Sequence, residues 1–377
     1  MEVPKEFDII GTAQLDSKKS PFGVGYTMKG WDFSANEIAE ALRDDRMLNP
    51  AYELASNACP WNCFFCFTED PDNPEESKKR LKGEMSLEDR ISLVDQSADL
   101  GARSINIIGA GEPTIDRYFW QIVEHIASKG ITPIVYTEGA LKLTDPDFAK
   151  RLYDAGATVV LKVNSLADEA YQNATVRGGI ERRRPLKLNY FTKRNKALEV
   201  LMDTGFNDHD PTRLAFDTII CNENYEEIPA MHRFARDNNI FVLFVGYLPS
   251  GRSTSLAQNA VSKAKQFAIF EELARIDKVE YGIEHQAIFP YAGGVPCSIR
   301  GLGLYVKIRG EVWDCPGEME PMGNVTQEPL VDIWKKVKEI RAKFNGGCPP
   351  RDAFWQRYET ANGYQDGSFV PIESLKK

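Results

Sequence analysis

Between residues 50 and 275, short apolar runs and amphipathic stretches alternate six times. The strand-like runs are 51–55, 104–109, 132–137, 158–164, 214–220 and 240–247, each with a helix-like stretch behind it. Some helices carry explicit punctuation. Ser86 and Asp89 cap a helix that starts at Leu87 and ends before Gly101. Asp145, Pro146 and Gly156 supply a cap, a first-turn proline and a stop. Asn224 followed by Glu227 reads as a capping-box-like start for a helix running to about Asn238. Strands alternating with helices predict parallel strands joined by right-handed crossovers. Six units fall short of an eight-stranded barrel but suffice for an open, partial (β/α)6 one, with its active site at the carboxyl ends of the strands.

The flanks read differently. Residues 1–48 have mixed polarity and predict no fold of their own beyond a short helix over Asn36–Asp44. Past residue 280, Gly303–Ile308 and Glu311–Asp314 flank Arg309-Gly310 as a hairpin, and a helix follows from about Pro329 to Phe344. The expected divisions are an extension over 1–48, a partial barrel over 49–278 and a small C-terminal unit over 279–377.

Charge and composition narrow the function. The formal charge of −9 argues against nucleic acid as the main partner, since phosphate backbones need a basic surface. The start, MEVPKEFDII, lacks the basic and apolar segments of a secretory signal. The longest apolar run, Ile240–Leu248, is too short for a bilayer, so a cytoplasmic protein is expected. Seven cysteines, an odd count without an export signal, point to metal or thiol chemistry rather than a disulfide framework.

Three of them stand close together, directly after the first strand candidate, as Cys59-x3-Cys63-x2-Cys66. Thiolates so spaced on one loop can bind three irons of a cubane cluster and leave the fourth without a protein ligand. Zinc is the competing reading, but zinc sites favour paired C-x2-C units, and none of the four histidines lies near this loop.

With Phe65 before its last cysteine, this motif resembles the mark of the radical S-adenosylmethionine superfamily, and the resemblance covers about 50–275. It implies that the fourth iron chelates the amino and carboxylate groups of S-adenosylmethionine, with Phe65 near the adenine. One-electron cleavage would yield a 5′-deoxyadenosyl radical. Gly109-Ala110-Gly111-Glu112-Pro113 is similar to the family's glycine-glycine-glutamate motif. It implies backbone close to the ligand and Glu112 accepting from its ammonium group, although G-x-G-E alone equally suits a plain turn. Asn164 and Ser165 stand where relatives bond the ribose, with strand-end capping as the alternative. Leu248, opening Leu248-Pro249-Ser250-Gly251-Arg252, resembles the start of the adenine-contacting segment. Thr137-Glu138-Gly139 replaces the family's threonine-asparagine-glycine. Glu138 then reads either as a substrate-recognising or proton-accepting carboxylate or as a solvated loop glutamate. Asn224-x-x-Glu227-Ile228 matches the family too, but helix capping accounts for it.

Cys221 ends the fifth strand on the face of Asp217, which reads as lumen-facing. It is a candidate hydrogen-atom donor, or a small core cysteine. Farther on, Cys297-x12-Gly310-x4-Cys315 with Cys348 resembles a SPASM or twitch domain. It implies an auxiliary 4Fe–4S cluster on Cys297, Cys315 and Cys348, against a reading as buried structural thiols. Cys348-Pro349-Pro350-Arg351-Asp352 departs from the family's C-x2-C ending, leaving Asp352 or an open iron site in place of the fourth thiolate. Eight basic residues between Arg177 and Lys196 suit either an anionic substrate or a solvated helix face. The expected function is radical chemistry on a small polar metabolite: a sugar, aminocyclitol or nucleotide derivative. Electrons would come from a flavodoxin or ferredoxin-type donor. A peptide maturase and a non-catalytic iron–sulfur carrier are the alternatives.

Overall fold

The computed structural model describes residues 20–66, 80–177, 188–246, 261–284, 299–316 and 321–341. All six expected strands form: β1 (Ala51–Tyr52), β2 (Ser104–Ile107), β3 (Thr132–Thr137), β4 (Thr158–Lys162), β5 (Leu214–Ile220) and β6 (Phe241–Gly246). They pair in parallel and in sequence order. The predicted hairpin forms as β7 (Tyr305–Val306) and β8 (Glu311–Trp313), and β9 (Pro321–Asn324) extends it. At its turn Gly310 has φ +88°, and a Cβ there would lie 2.7 Å from the Asn324 side chain. One pairing was not foreseen: β7 joins β1 in parallel, so the hairpin continues the main sheet, with order β6-β5-β4-β3-β2-β1-β7-β8-β9.

The helices before the hairpin are α1 (Ala35–Arg43), α2 (Leu87–Asp99), α3 (Phe119–Ser128), α4 (Pro146–Asp154), α5 (Glu169–Arg177), α6 (Tyr190–Asp203), α7 (Ile228–Asp237), α8 (Lys263–Ile276) and the short α9 (Ile299–Leu302). Ser86 and Asp89 make the expected capping box on α2, and Asp145 caps α4 through the Asp147 N–H. Beyond the hairpin, helices span Leu330–Lys336 and Lys338–Arg341.

Strand alternation gives the sheet two faces. Ile107, Val135, Val159, Leu161, Phe216 and Phe244 pack with the helices. Ile134, Val160, Ala215 and Leu243 turn the other way, onto Met28 and Trp31. Residues 20–34, for which only the absence of a fold of their own was expected, pack onto the sheet and close this inner face. Met28 bridges Thr212, the Lys29 N–H donates to the Thr212 carbonyl at 2.9 Å, and Arg236 donates to the Gly25 carbonyl at 2.7 Å. Gly25, at φ +60°, lies so near β6 that a Cβ would sit 2.2 Å from the Ile240 oxygen. Two isolated apolar residues carry the contact, so no periodicity announces it. Among the described residues no helix is long and apolar enough to cross a membrane.

Trp31→Ala should therefore destabilise the protein by about 3–5 kcal/mol, read from urea unfolding midpoints, as for other buried aromatics. A shift near zero would show that the segment rests on the sheet without supporting it.

Candidate cluster and cofactor site

The cysteine loop leaves β1 at the carboxyl edge of the sheet and is held from both sides. Before it, the Ser56 N–H donates to Asp116 Oδ2 at 2.7 Å, and the Asn57 N–H and Ser56 hydroxyl donate to Glu84 Oε1 at 3.1 Å each. Arg90, 1% exposed, donates to the carbonyls of Leu54 (2.9 Å) and Met85 (3.1 Å) and pairs with Asp116 at 3.4 Å and Glu84 at 4.0 Å. Within it, the Asn62 and Phe64 N–H groups donate to the carbonyls of Val176 and Thr175 on α5. Trp61 meets Tyr190 edge-on at 5.1 Å. Cys59, Cys63 and Cys66, none in a disulfide, are partly exposed, whereas Cys221 and Cys315 are buried.

The turn after β2 locks against this loop. The Ala55 N–H donates to the Gly109 carbonyl, the Ala110 N–H to the Ala55 carbonyl, and the Gly111 N–H to the Ser56 carbonyl at 3.0 Å. A Cβ on Gly111 would lie 2.1 Å from the Ala58 oxygen, so this glycine exists for the approach of the cysteine loop itself. Glu112 is buried. Its Oε1 accepts from the Thr114 N–H and hydroxyl and from the Thr137 hydroxyl at 2.6 Å, while Oε2 accepts the Glu138 N–H at 3.1 Å.

Glu138 is not a solvated loop residue. It is 7% exposed, beside Trp61, and accepts the N–H groups of Ala140 (2.9 Å) and Leu141 (3.1 Å). Burial, then the neighbouring Glu112 charge, pushes its carboxyl well above the usual carboxylate range. Burial also raises Glu112.

At the end of β4, Ser165 is buried and its hydroxyl accepts the Asp168 N–H at 2.7 Å. Gln172 Oε1 accepts from both the Asn164 and Ser165 N–H groups at 2.8 Å. Asn164 Oδ1 accepts the Ile219 N–H, and its buried Nδ2 has no partner among the described residues. The capping account of Asn224 and Glu227 is overturned, because a 3-10 turn over Tyr225–Glu227 precedes α7 and neither side chain caps it. Asn224 instead accepts the Cys221 N–H and donates to the carbonyls of Asn164 and Ile219, while Glu227 accepts the N–H groups of Leu166 and Ala167. Together they tie the carboxyl ends of β4 and β5.

Lys162, on β4, brings its ammonium 4.5 Å from the centre of the Phe65 ring and pairs with Asp217 at 3.0 Å. Cys221 is fully buried, and burial raises its thiol to about 12. Cys315 packs beside Ala51 and Tyr305. Leu248, Cys297, Cys348 and Asp352 lie outside the described residues. Of the basic run, Arg194 is buried and donates to the Ser165 carbonyl at 2.6 Å and Lys196 pairs with Glu199, while 178–187 lie outside the described residues.

The brace of Glu84, Arg90 and Asp116 was missed in the sequence. Its signal is an arginine in the buried stripe of α2, with Leu93, Val94 and Ser97. Among the described residues no three His, Cys, Asp or Glu side chains converge tightly enough for a single ion. A cubane cluster takes each thiolate on a different iron and needs no such convergence. Three part-exposed thiols close in sequence on an anchored loop can each take a different iron of such a cluster.

A model of the Radical SAM superfamily matches residues 54–235. A probable GTP 3',8-cyclase of Metallosphaera sedula is 30% identical over 169 residues, which span 40% of this chain and 50% of that relative, so half its length has no counterpart in the match. The mycofactocin maturase MftC of Mycolicibacterium smegmatis is 23% identical over 309 residues, 77% of this chain and 72% of the relative. Among solved structures, native anSMEcpe with bound AdoMet has a TM-score of 0.57 at 17% identity, covering 79% of this chain and 84% of its own. SuiB of Streptococcus suis bound to S-adenosylmethionine has a TM-score of 0.55 at 15% identity, covering 85% and 71%. At such identities the likeness shows a shared fold.

Three outcomes follow from the site. Gly111→Ala should displace the cysteine loop and lose most bound iron after anaerobic reconstitution, while full iron content would show the contact to be slack. Arg90→Met should cost about 3–5 kcal/mol in urea unfolding, because Glu84 and Asp116 stay buried without their cation. For Glu138 the sign follows from its raised carboxyl. The folded state holds a proton that the unfolded chain releases above about pH 4.3, so this residue's contribution weakens as pH rises. Unfolding midpoints from pH 5 to 8 should fall more for wild type than for Glu138→Gln, and parallel curves would show an ionised Glu138.

Proposed function

This chain carries a radical SAM domain over residues 54–235, and on that premise we propose a radical SAM enzyme that transforms a small polar metabolite. When bound, a 4Fe–4S cluster and S-adenosylmethionine supply a 5′-deoxyadenosyl radical that takes a hydrogen atom from substrate. The observation that carries this reading is the set of three part-exposed thiols on a loop anchored by Glu84, Asp116 and the Gly111 contact.

The chain's own groups have distinct tasks in it. Cys59, Cys63 and Cys66 hold the cluster. Phe65 borders the adenine, and Glu112 Oε2, which accepts one N–H in the structure, takes a second from the ligand's ammonium. Asn164, whose buried Nδ2 points to no described acceptor, offers a donor to the ribose. Glu138 holds the Ala140–Leu141 backbone. Cys297, Cys315 and Cys348 hold a second 4Fe–4S cluster, with Asp352 or an open iron in the fourth place. A flavodoxin or ferredoxin supplies the electron. Oxidation, epimerisation and rearrangement are the outcomes such chemistry allows.

A peptide maturase is the second reading, favoured by the match to MftC over 77% of this chain. Mass spectrometry of products from metabolite and peptide mixtures separates the two.

Anaerobically reconstituted protein should contain about eight irons. Replacing Cys59, Cys63 and Cys66 together by alanine should halve that content and abolish 5′-deoxyadenosine formation. A colourless, zinc-loaded protein after anaerobic purification overturns the proposal.

A further inference from the structure

On the inner face of the sheet, the charged side chains of β1–β6 and of Glu53, just past β1, amount to Glu53, Lys162 and Asp217. Glu53 is buried and already engaged, accepting from the Tyr305 hydroxyl and from the Ile308 N–H at 2.8 Å. The other two differ. Lys162 and Asp217 face each other in register across β4 and β5, 3.0 Å apart, with side chains 13% and 23% exposed. Below them lie Ile134, Val160, Ala215 and Leu243, closed by Met28 and Trp31. Above them is Phe65 of the cysteine loop. On the neighbouring strand, Tyr136 pairs in register with Val160, one inner position below Lys162.

This pair therefore stands between an apolar floor and the cysteine loop, where a substrate must lie to meet a radical formed there. Partly desolvated charges gain most from a ligand that satisfies both without pulling them far apart. That ligand offers Lys162 an acceptor and Asp217 a donor on neighbouring atoms. Phosphates need surplus positive charge, and among the described residues of this inner strand face the one lysine is neutralised by its partner.

We propose that Lys162 and Asp217 are the substrate-reading pair, and that the substrate is a vicinal amino alcohol or diol of a polyol ring, neutral or cationic overall, rather than a nucleoside phosphate. The inference rests on the small-metabolite reading above and narrows it.

The test uses the reconstituted holoenzyme with S-adenosylmethionine and a small-molecule extract of the source organism, split on a strong anion exchanger at neutral pH. The unretained fraction should raise 5′-deoxyadenosine formation by about tenfold or more, and the salt-eluted fraction should not. Lys162→Asp and Asp217→Lys should each lower both the melting temperature and this stimulation. The double exchange rebuilds an ion pair with reversed polarity, so it should recover the melting temperature but not the stimulation. Stimulation by the anionic fraction, stimulation by neither fraction, or recovery of both properties in the double exchange overturns the proposal. If wild-type enzyme forms no 5′-deoxyadenosine under any condition, the radical reading beneath it fails as well.

Discussion

Arg90 is a guanidinium with almost no water around it, and most of the site depends on where its hydrogen bonds go. Two reach the carbonyls of Leu54 and Met85, and the carboxylates of Asp116 and Glu84 complete its surroundings. Those carboxylates in turn accept the N–H groups of Ser56 and Asn57. A buried cation with buried counter-ions has no cheap rearrangement, since each group displaced would remain desolvated and unpaired. The chain entering Cys59 inherits that rigidity.

The second constraint is steric. Gly111 brings the turn after β2 into contact with the Ser56 and Ala58 carbonyls, leaving no space for even a methyl group. Glu112 follows directly, and its carboxylate reaches the β3 edge, where Oε2 accepts the Glu138 N–H. Thr114 and Thr137 hold one of its oxygens, so the carboxylate cannot swing away. Cluster loop, glycine turn and the β3 edge at Glu138 thus form one block. On its far side, Asn224 and Glu227 tie the ends of β4 and β5.

Side-chain burial then sorts residues that looked alike in the sequence. Glu138 and Glu112 lie within a few residues of strand ends, yet both are held in a desolvated pair rather than in a loop facing water. Cys221 shares an alternation face with Asp217, but the thiol is enclosed while the carboxylate remains open to the inner face. Alternation assigns a side of the strand. It does not say how far the neighbouring loop closes over the strand's end.

The six βα units, the caps at Ser86 and Asp145, the hairpin around Gly310 and the C-x3-C-x2-C loop were legible in the sequence. Each depends on residues near one another in the chain: apolar periodicity, a side-chain cap, a left-handed glycine, three thiols on one loop. Other features needed the tertiary structure. Met28 and Trp31 close the inner face through residues far away in the chain, and Asn224 and Glu227 pass over a helix start to serve the adjacent strand. The addition of β7 to β1 is a pairing of residues 51–52 with 305–306, which no local pattern encodes. Spacing along the chain determines what chemistry a segment can offer. Which partner it meets is decided by packing and by the cost of leaving a buried polar group unpaired, and both are properties of the whole fold.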